Sequence, residues 1–315
     1  MCDHAAIEHQ PVLVDQVIRY LAPHDGDVIV DGTVGLGGHA EAILRCAAGV
    51  RWVGIDRDRK ALDRARARLG GFGTRVLLIH GDYAEVARHL DEVGIDRIDG
   101  FLLDLGVSSL QLEDASRGFS FRLDGPLDMR MDPSSGPSAA DWIASACQRE
   151  IAEVLETYGE ERYAARIARS IDEARRREPI RTTDALARIV RDAVPASYRR
   201  GRLDPATRTF QAIRIRINGE LAALETGLEA GFERLAVGGV LVVISFHSLE
   251  DRLVKRFLQR KAADCVCPPE LPECVCDKQV DGEILTKRPV TPTAGEIEAN
   301  PRARSAKLRA LRKVV

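Results

Sequence analysis

The sequence predicts an α/β protein: a mainly parallel sheet with helices on both faces, interrupted by an all-helical insert. Three observations carry this. Short β-branched apolar runs recur at Val28–Asp31, Arg51–Asp56, Val76–His80 and Ile98–Leu105, with helical patterns between them. A glycine-rich stretch, "DGTVGLGGHA" from Asp31 to Ala40, directly follows the first run. The next strand-like run, "GGVLVVISF" from Gly238 to Phe246, begins 140 residues after the start of the fourth.

Each element follows from its pattern. In "RKALDRARARL" (Arg59–Leu69), Leu62, Ala65 and Leu69 share one helical face. Strand, helix, strand at this period gives βαβ units and a parallel sheet. Ligands of such sheets bind at the carboxyl ends of the strands. Those ends are Asp31 onward, Asp56, Gly81–Tyr83 and Asp104 onward. The delayed fifth strand implies an insert of about 100 residues. Residues 115–207 are rich in helical patterns without strand alternation, so the chain is expected to divide into a sheet domain, 1–114 with 208–315, and a helical domain, 115–207. Thr183 is the expected N-cap of "DALARIVRDAV". Phe210, Ile213, Ile217, Leu221, Leu224, Leu228, Phe232 and Leu235 step by three and four, which predicts one long amphipathic helix. After the fifth strand come a helix from Ser248 to Lys261, capped at Ser248, then a Pro- and Cys-rich loop. Two strand-like runs follow, Glu283–Val290 and Ala306–Val315.

Composition narrows the class. The chain has 315 residues, 45% hydrophobic and 30% charged, the profile of a globular protein. No run approaches the roughly 18 apolar residues of a membrane helix. The start, "MCDHAAIEHQPVLVDQ", has no basic segment leading into an apolar core, so a cytoplasmic location is expected. Seven cysteines then belong to a reducing compartment. The net charge of −2 argues against a wholly basic nucleic-acid coat. Charge is unevenly spread, however: residues 160–202 hold twelve Arg against seven acids, and 302–313 hold six basic residues and no acid. Such asymmetry fits local contact with a polyanion, or a solvated helix face.

Three ligands compete for the glycine loop. A nucleotide P-loop needs Lys-Ser/Thr after its last glycine, and none follows here. A dinucleotide fingerprint is matched formally by Gly35, Gly37 and Ala40, with Asp56 near the expected acid. S-Adenosylmethionine uses the same strand–loop–helix geometry but carries an ammonium and a sulfonium in place of phosphate. Asp31, four positions before Gly35, would repel a pyrophosphate and suits a cationic tail. Asp56 would accept ribose hydroxyls under either reading, and Tyr83 would flank an adenine ring or pack in the core.

The stretches "HQPVLVDQVI" (9–18), "VDGTVGLGGHA" (30–40), "GIDRD" (54–58), "LLDLGVSSLQLED" (102–114), "RGFSFRLDGPLDMRMD" (117–132), "FQAIRIRINGEL" (210–221), "SFHSLEDRLVK" (245–255) and "NPRARSAKLRALR" (300–312) together resemble the ribosomal RNA small subunit methyltransferase H family. The resemblance spans nearly the whole chain. It implies a class I S-adenosylmethionine-dependent methyltransferase, Rossmann-like, with a helical domain inserted after the fourth strand. It implies methylation of the exocyclic 4-amino nitrogen of one cytidine in the decoding region of small-subunit (16S) ribosomal RNA. The implied cofactor contacts are Gly37, Gly38, His39, Asp56, Tyr83, Asp104 and Gln111, with Asp104 also the catalytic candidate. The implied partner is small-subunit RNA or the assembled subunit, with no membrane. The sequence is silent on oligomeric state and compatible with a homodimer.

A cytosine amine is a poor nucleophile because its lone pair is delocalised into the ring. An acceptor for its N–H groups, aligned with the methyl donor, would help. Many amino-group methyltransferases place Asp/Asn-Pro-Pro-aromatic at the end of strand four. This chain has "DLGVSS", keeping the acid Asp104 and lacking the prolines and the adjacent aromatic. Asp104 is therefore expected to contact cofactor and to lie near the target base. Ring-carbon methylation would need a Cys nucleophile, and neither Cys46 nor Cys147 is at a strand end. Phe246 is a candidate to stack on the base, and His247 to orient it. Cys265, Cys267, Cys274 and Cys276 form a C-x-C, C-x-C pattern that four-thiolate zinc coordination would accept. The spacing is tighter than the usual C-x2-C, so no metal ligand is assigned.

Overall fold

The computed structural model describes residues 11–201, 203–265, 267, 276 and 278–315. The chain forms two compact units, one from Met1–Gly106 with Leu221–Val315 and one from Val107–Glu220. The first unit begins α1 (Val14–Leu21), β1 (Val28–Asp31), α2 (Gly38–Cys46), β2 (Arg51–Asp56), α3 (Arg59–Leu69), β3 (Val76–His80), α4 (Val86–Glu92) and β4 (Ile98–Asp104). These strands match the apolar runs because β-branched residues suit a pleat buried on both faces.

The second unit holds α5 (Ser109–Glu113), α6 (Ala139–Ser145), α7 (Gln148–Gly159), α8 (Ala164–Arg175), α9 (Thr183–Ala193), α10 (Ala196–Arg199) and α11 (Ala206–Asn218). It is longer than the 115–207 expected from pattern. One reason is that Phe210 and Ile213 of α11 bury into its core beside Trp142, Leu155, Ile167 and Leu186. The cap of α9 is Thr182, whose Oγ1 accepts from Ala185 N at 3.2 Å, not Thr183. Two adjacent threonines carry the same capping chemistry, and sequence alone does not choose between them.

The single long helix predicted across 210–235 is two helices. Gly219 takes the left-handed conformation at φ 59 and ends α11; α12 (Glu220–Arg234) then restarts. The apolar spacing survives the break, which hid it, while a left-handed glycine at C′ is the usual helix stop. Leu235 belongs to β5 (Leu235–Ser245). After it come α13 (Ser248–Ala262), β6 (Gly282–Ile284), α14 (Ala294–Ala299) and β7 (Lys307–Lys313). The cap of α13 is His247, not Ser248: His247 Nδ1 accepts from Glu250 N at 3.4 Å.

The seven strands run in the order β3-β2-β1-β4-β5-β7-β6. β1 to β5 are parallel, and β7 is antiparallel to both its neighbours. This is the mainly parallel sheet that the sequence predicts, with an antiparallel strand inserted at one edge. Alternate residues serve opposite faces. Ile29, Trp52, Leu102, Val242 and Leu308 build one core, and Val30, Val53, Phe101, Leu103 and Val243 the other. Among the described residues, no helix is long and apolar enough to cross a membrane.

Candidate active site

The carboxyl ends of β1, β2 and β4 present Asp31, Asp56 and Asp104. After Asp31 the chain turns through Gly35 (φ 51) and Gly37 (φ 77) into α2. Both angles lie where only glycine sits without strain. A side chain at Gly37 or Gly38 would meet protein: a Cβ on Gly37 lies 3.2 Å from Leu69, and one on Gly38 lies 2.9 Å from Pro11. At Gly35 the nearest atom to such a Cβ is the Thr33 carbonyl at 3.7 Å. Gly37 and Gly38 thus pack the turn against α3 and the N-terminal segment, whereas Gly35 has room beside it.

Asp56 ties the turn in place. Its Oδ2 accepts from Gly35 N and its Oδ1 from Asp58 N, each at 2.8 Å. Each oxygen keeps a further lone pair. Burial raises the Asp56 carboxyl to about 6, against the lowering effect of the Asp58 and Gly35 N–H groups. Next to it, Arg57 pairs with Asp82, whose Oδ1 also accepts from Ala84 N at 2.9 Å. Tyr83 follows. A Cβ added at Gly227 of α12 would lie 2.5 Å from its Cδ2, and one at Gly32 would lie 2.7 Å from its Cβ. One edge of the ring is thus packed against a helix, the core role weighed against adenine contact.

Asp104 ends β4 beside Thr33 and His39. Its backbone N–H donates to Thr33 Oγ1 at 2.6 Å, and that hydroxyl donates to Asp31 Oδ1 at 3.2 Å. The same Asp31 oxygen accepts from Thr33 N at 2.9 Å. Asp104 Oδ1 is buried with no hydrogen-bond partner among the described residues. Asp104 Oδ2 lies 3.7 Å from His39 Nδ1, and His39 Nε2 lies 2.9 Å from the Val12 carbonyl. A carbonyl only accepts, so Nε2 carries a proton, and in the neutral ring the lone pair of Nδ1 faces Asp104. Burial, with the charges of Asp31 and Glu250, holds the Asp104 carboxyl well above its ordinary range. Burial likewise lifts Asp31 to about 7, opposed by the two Thr33 hydrogen bonds and reinforced by Asp56.

The structure therefore brings Asp31, Asp56, Asp104, His39 and the glycine turn to one end of the sheet. Sequence reasoning missed Thr33, which joins two strand ends through one hydroxyl, and Glu250. Glu250 is buried, and its Oε2 accepts from Phe246 N at 2.8 Å and His247 N at 3.3 Å. A threonine two residues after a strand-end acid was the available signal for the first. Nothing local marked the second. The ring of Phe246 lies at Gly106, two residues past Asp104: a Cβ there would be 3.6 Å from Phe246 Cδ2. Gln111 belongs to the helical unit, where it is buried and its Oε1 accepts from Ser108 N at 3.0 Å in the capping box of α5.

The basic stretches are more engaged than their composition implies. In β7, Lys307 and Arg309 pair with Asp251, and Arg312 with Glu283. In the helical unit, Arg175 and Arg176 pair with Asp172, Arg188 with Asp184 and Arg191 with Asp204. Arg162 lies over the rings of Tyr163 and Tyr198 at 4.8 and 4.6 Å. Arg200, Arg302 and Arg304 are exposed. Arg202 and Cys274 fall outside the described residues.

The donor set decides the ligand chemistry. Ionised carboxylates only accept hydrogen bonds. Burial holds all three above the ordinary carboxylate range, and Asp104 Oδ1 has no hydrogen-bond partner among the described residues. A pyrophosphate would find negative charge here; an ammonium or sulfonium would relieve it. The MraW methylase family matches residues 6–314 of the chain. The chain is 51% identical to the ribosomal RNA small subunit methyltransferase H of Syntrophotalea carbinolica, over 98% of each chain. It is 50% identical to the protein of the same name from Thermobifida fusca, over 96% of this chain and 92% of that one. Among solved structures it is similar to an rRNA methylase from Streptococcus thermophilus, with a TM-score of 0.44 and 11% identity over 98% and 100% of the two chains.

Proposed function

The chain belongs to the MraW methylase family, and from that premise we propose that it moves a methyl group from S-adenosylmethionine to the 4-amino nitrogen of a cytidine in the decoding region of small-subunit ribosomal RNA. The observation that carries the reading is the cluster of three buried carboxyls, Asp31, Asp56 and Asp104, around a glycine turn, with Asp104 Oδ1 buried and without a hydrogen-bond partner among the described residues. It fits a cationic methyl donor by charge, and the relatives fit the RNA by name.

Asp31 and Asp104 would hold the positive portion of the donor, and Asp56 the ribose hydroxyls, through lone pairs not used by Gly35 and Asp58. When bound, S-adenosylmethionine supplies a methyl group on a sulfonium centre. The protein's own contribution is position and proton handling. Thr33 fixes the backbone of Asp104, and the Val12 carbonyl fixes the His39 ring beside it. Asp104 accepts an N–H of the cytosine amine, which localises the lone pair for in-line attack. A carboxyl held above its ordinary range is also matched to take the proton that the methylated amine must lose. Phe246, whose ring is seated at Gly106, is the aromatic face to stack on the base. The exposed arginines of the helical unit and of residues 302–304 hold RNA phosphates.

The test is mass mapping of small-subunit RNA from cells with and without the protein, with methyl transfer to isolated subunits using labelled donor. Loss of a methyl on one decoding-region cytidine amine, restored by the purified protein, is the expected result. A lost methyl on a ring carbon or on another base would overturn the assignment.

A further inference from the structure

One group of side chains takes no part in methyl transfer. The segment that joins α13 to β6 is closed at its base by Asp281 N, which donates to the Lys261 carbonyl at 2.9 Å. Inside it, Cys265 and Cys267 meet Cys276, nine or more residues further on. The three Sγ atoms all lie within 4.8 Å of one another, and those of Cys265 and Cys276 are 3.8 Å apart. Zinc–thiolate bonds are about 2.3 Å, so two ligands at the tetrahedral angle sit about 3.8 Å apart. The Cys265–Cys276 pair already has that separation. Cys267 N also donates to Cys265 Sγ at 3.3 Å, a contact that favours the sulfur as thiolate.

We propose that Cys265, Cys267 and Cys276 hold a zinc ion that cross-links this loop. Soft thiolates in a tetrahedral arrangement select zinc over hard cations. The ion would be structural. α13 has 15 residues, a rise of about 22 Å; Glu250, whose charge bears on Asp104, lies in its first turn, while the thiols follow its last. Zinc therefore pins the connection between α13 and the edge strand β6 and takes no part in the reaction.

The full chain, prepared under reducing conditions without chelator, is analysed for metal and titrated with zinc chloride, then with cobalt chloride after stripping. The expected result is one bound zinc per chain and, with cobalt, the visible absorption of a tetrahedral thiolate site. Cys265→Ser and Cys276→Ser should each abolish the cobalt spectrum and lower zinc affinity at least about 100-fold, while Cys46→Ser and Cys147→Ser keep both. Adding chelator should lower the melting temperature of the wild type and leave that of Cys265→Ser unmoved. Far-UV circular dichroism and S-adenosylmethionine binding report that the variants are folded. Failure of the reduced wild type to bind zinc overturns the proposal. So does zinc retained in folded Cys265→Ser and Cys276→Ser, or a Cys265–Cys276 disulfide in protein isolated with its thiols trapped.

Discussion

Replacing Asp31 by Asn separates what this residue does for binding from what it costs the fold. Asp31 Oδ1 accepts both Thr33 hydrogen bonds, and an Asn carbonyl can keep them, so the substitution removes charge and little else. The carboxyl is 2% exposed and titrates at about 7 in place of 3.8. That displacement amounts to about 4 kcal/mol against the ionised form. The sign follows from proton counts. Between the unfolded and folded values the native state binds more protons than the unfolded chain, so the stabilising contribution of the proton is complete below pH 3.8 and lost by about pH 7. Asp31→Asn has no such loss. Its stability advantage over wild type should widen by about 3 kcal/mol between pH 5 and pH 8, read by urea unfolding without ligand. Binding should move the other way, with S-adenosylmethionine affinity falling by about 1.5–3 kcal/mol at pH 8 for want of a charged partner. Wild-type binding at pH 6.5 should also release protons, because roughly three-quarters of a group titrating near 7 is protonated there. Calorimetry in buffers of different ionisation heat counts them. An advantage for Asp31→Asn that is the same at pH 5 and pH 8 would refute the burial argument. Equal proton release from mutant and wild type would refute the placement of Asp31 at the cation.

Asp56→Ala frees the Gly35 and Asp58 N–H groups together with the ribose acceptors, so S-adenosylmethionine affinity measured by calorimetry should fall by at least about 1.5–3 kcal/mol; unchanged affinity in a folded protein removes Asp56 from the site. Gly227→Ala drives a methyl into the Tyr83 ring, 2.5 Å from Cδ2, and should cost about 1–3 kcal/mol in denaturant unfolding. No loss there means that the ring has room to yield. Reversing Arg199 and Arg200 to Glu should weaken RNA binding and flatten its dependence on log salt by about one unit per lost phosphate contact, with free S-adenosylmethionine binding unchanged; a wild-type slope makes this a solvated face. Asp104→Asn presents an amide N–H2 where the cytosine amine needs an acceptor. Single-turnover methylation should fall even at saturating donor, whereas full recovery at saturation confines Asp104 to holding the donor.

The strands were legible because burial on both faces of a parallel sheet writes itself as a contiguous β-branched run, and the helical unit because the starts of two such runs, Ile98 and Gly238, lie 140 residues apart. What escaped reading depends on contacts between distant segments. The break at Gly219 left the apolar spacing from Phe210 to Phe232 intact, so periodicity saw one helix, and only the left-handed glycine divides it. The basic run of β7 reads as a polyanion site until the antiparallel pairing with β5 sets Lys307 and Arg309 beside Asp251. Asp31, Asp56 and Asp104 could each be placed at a strand end from sequence, but their protonation could not. It arises from burial and from mutual charge, including that of Glu250, whose position is set by the capping of α13. A carboxyl at a strand end is ordinary. Three gathered there with too few donors form a site that opposes its own ionisation, and that opposition falls when a cation binds. The burial that lowers stability above pH 7 is therefore the feature by which the proposed site would favour a positively charged ligand.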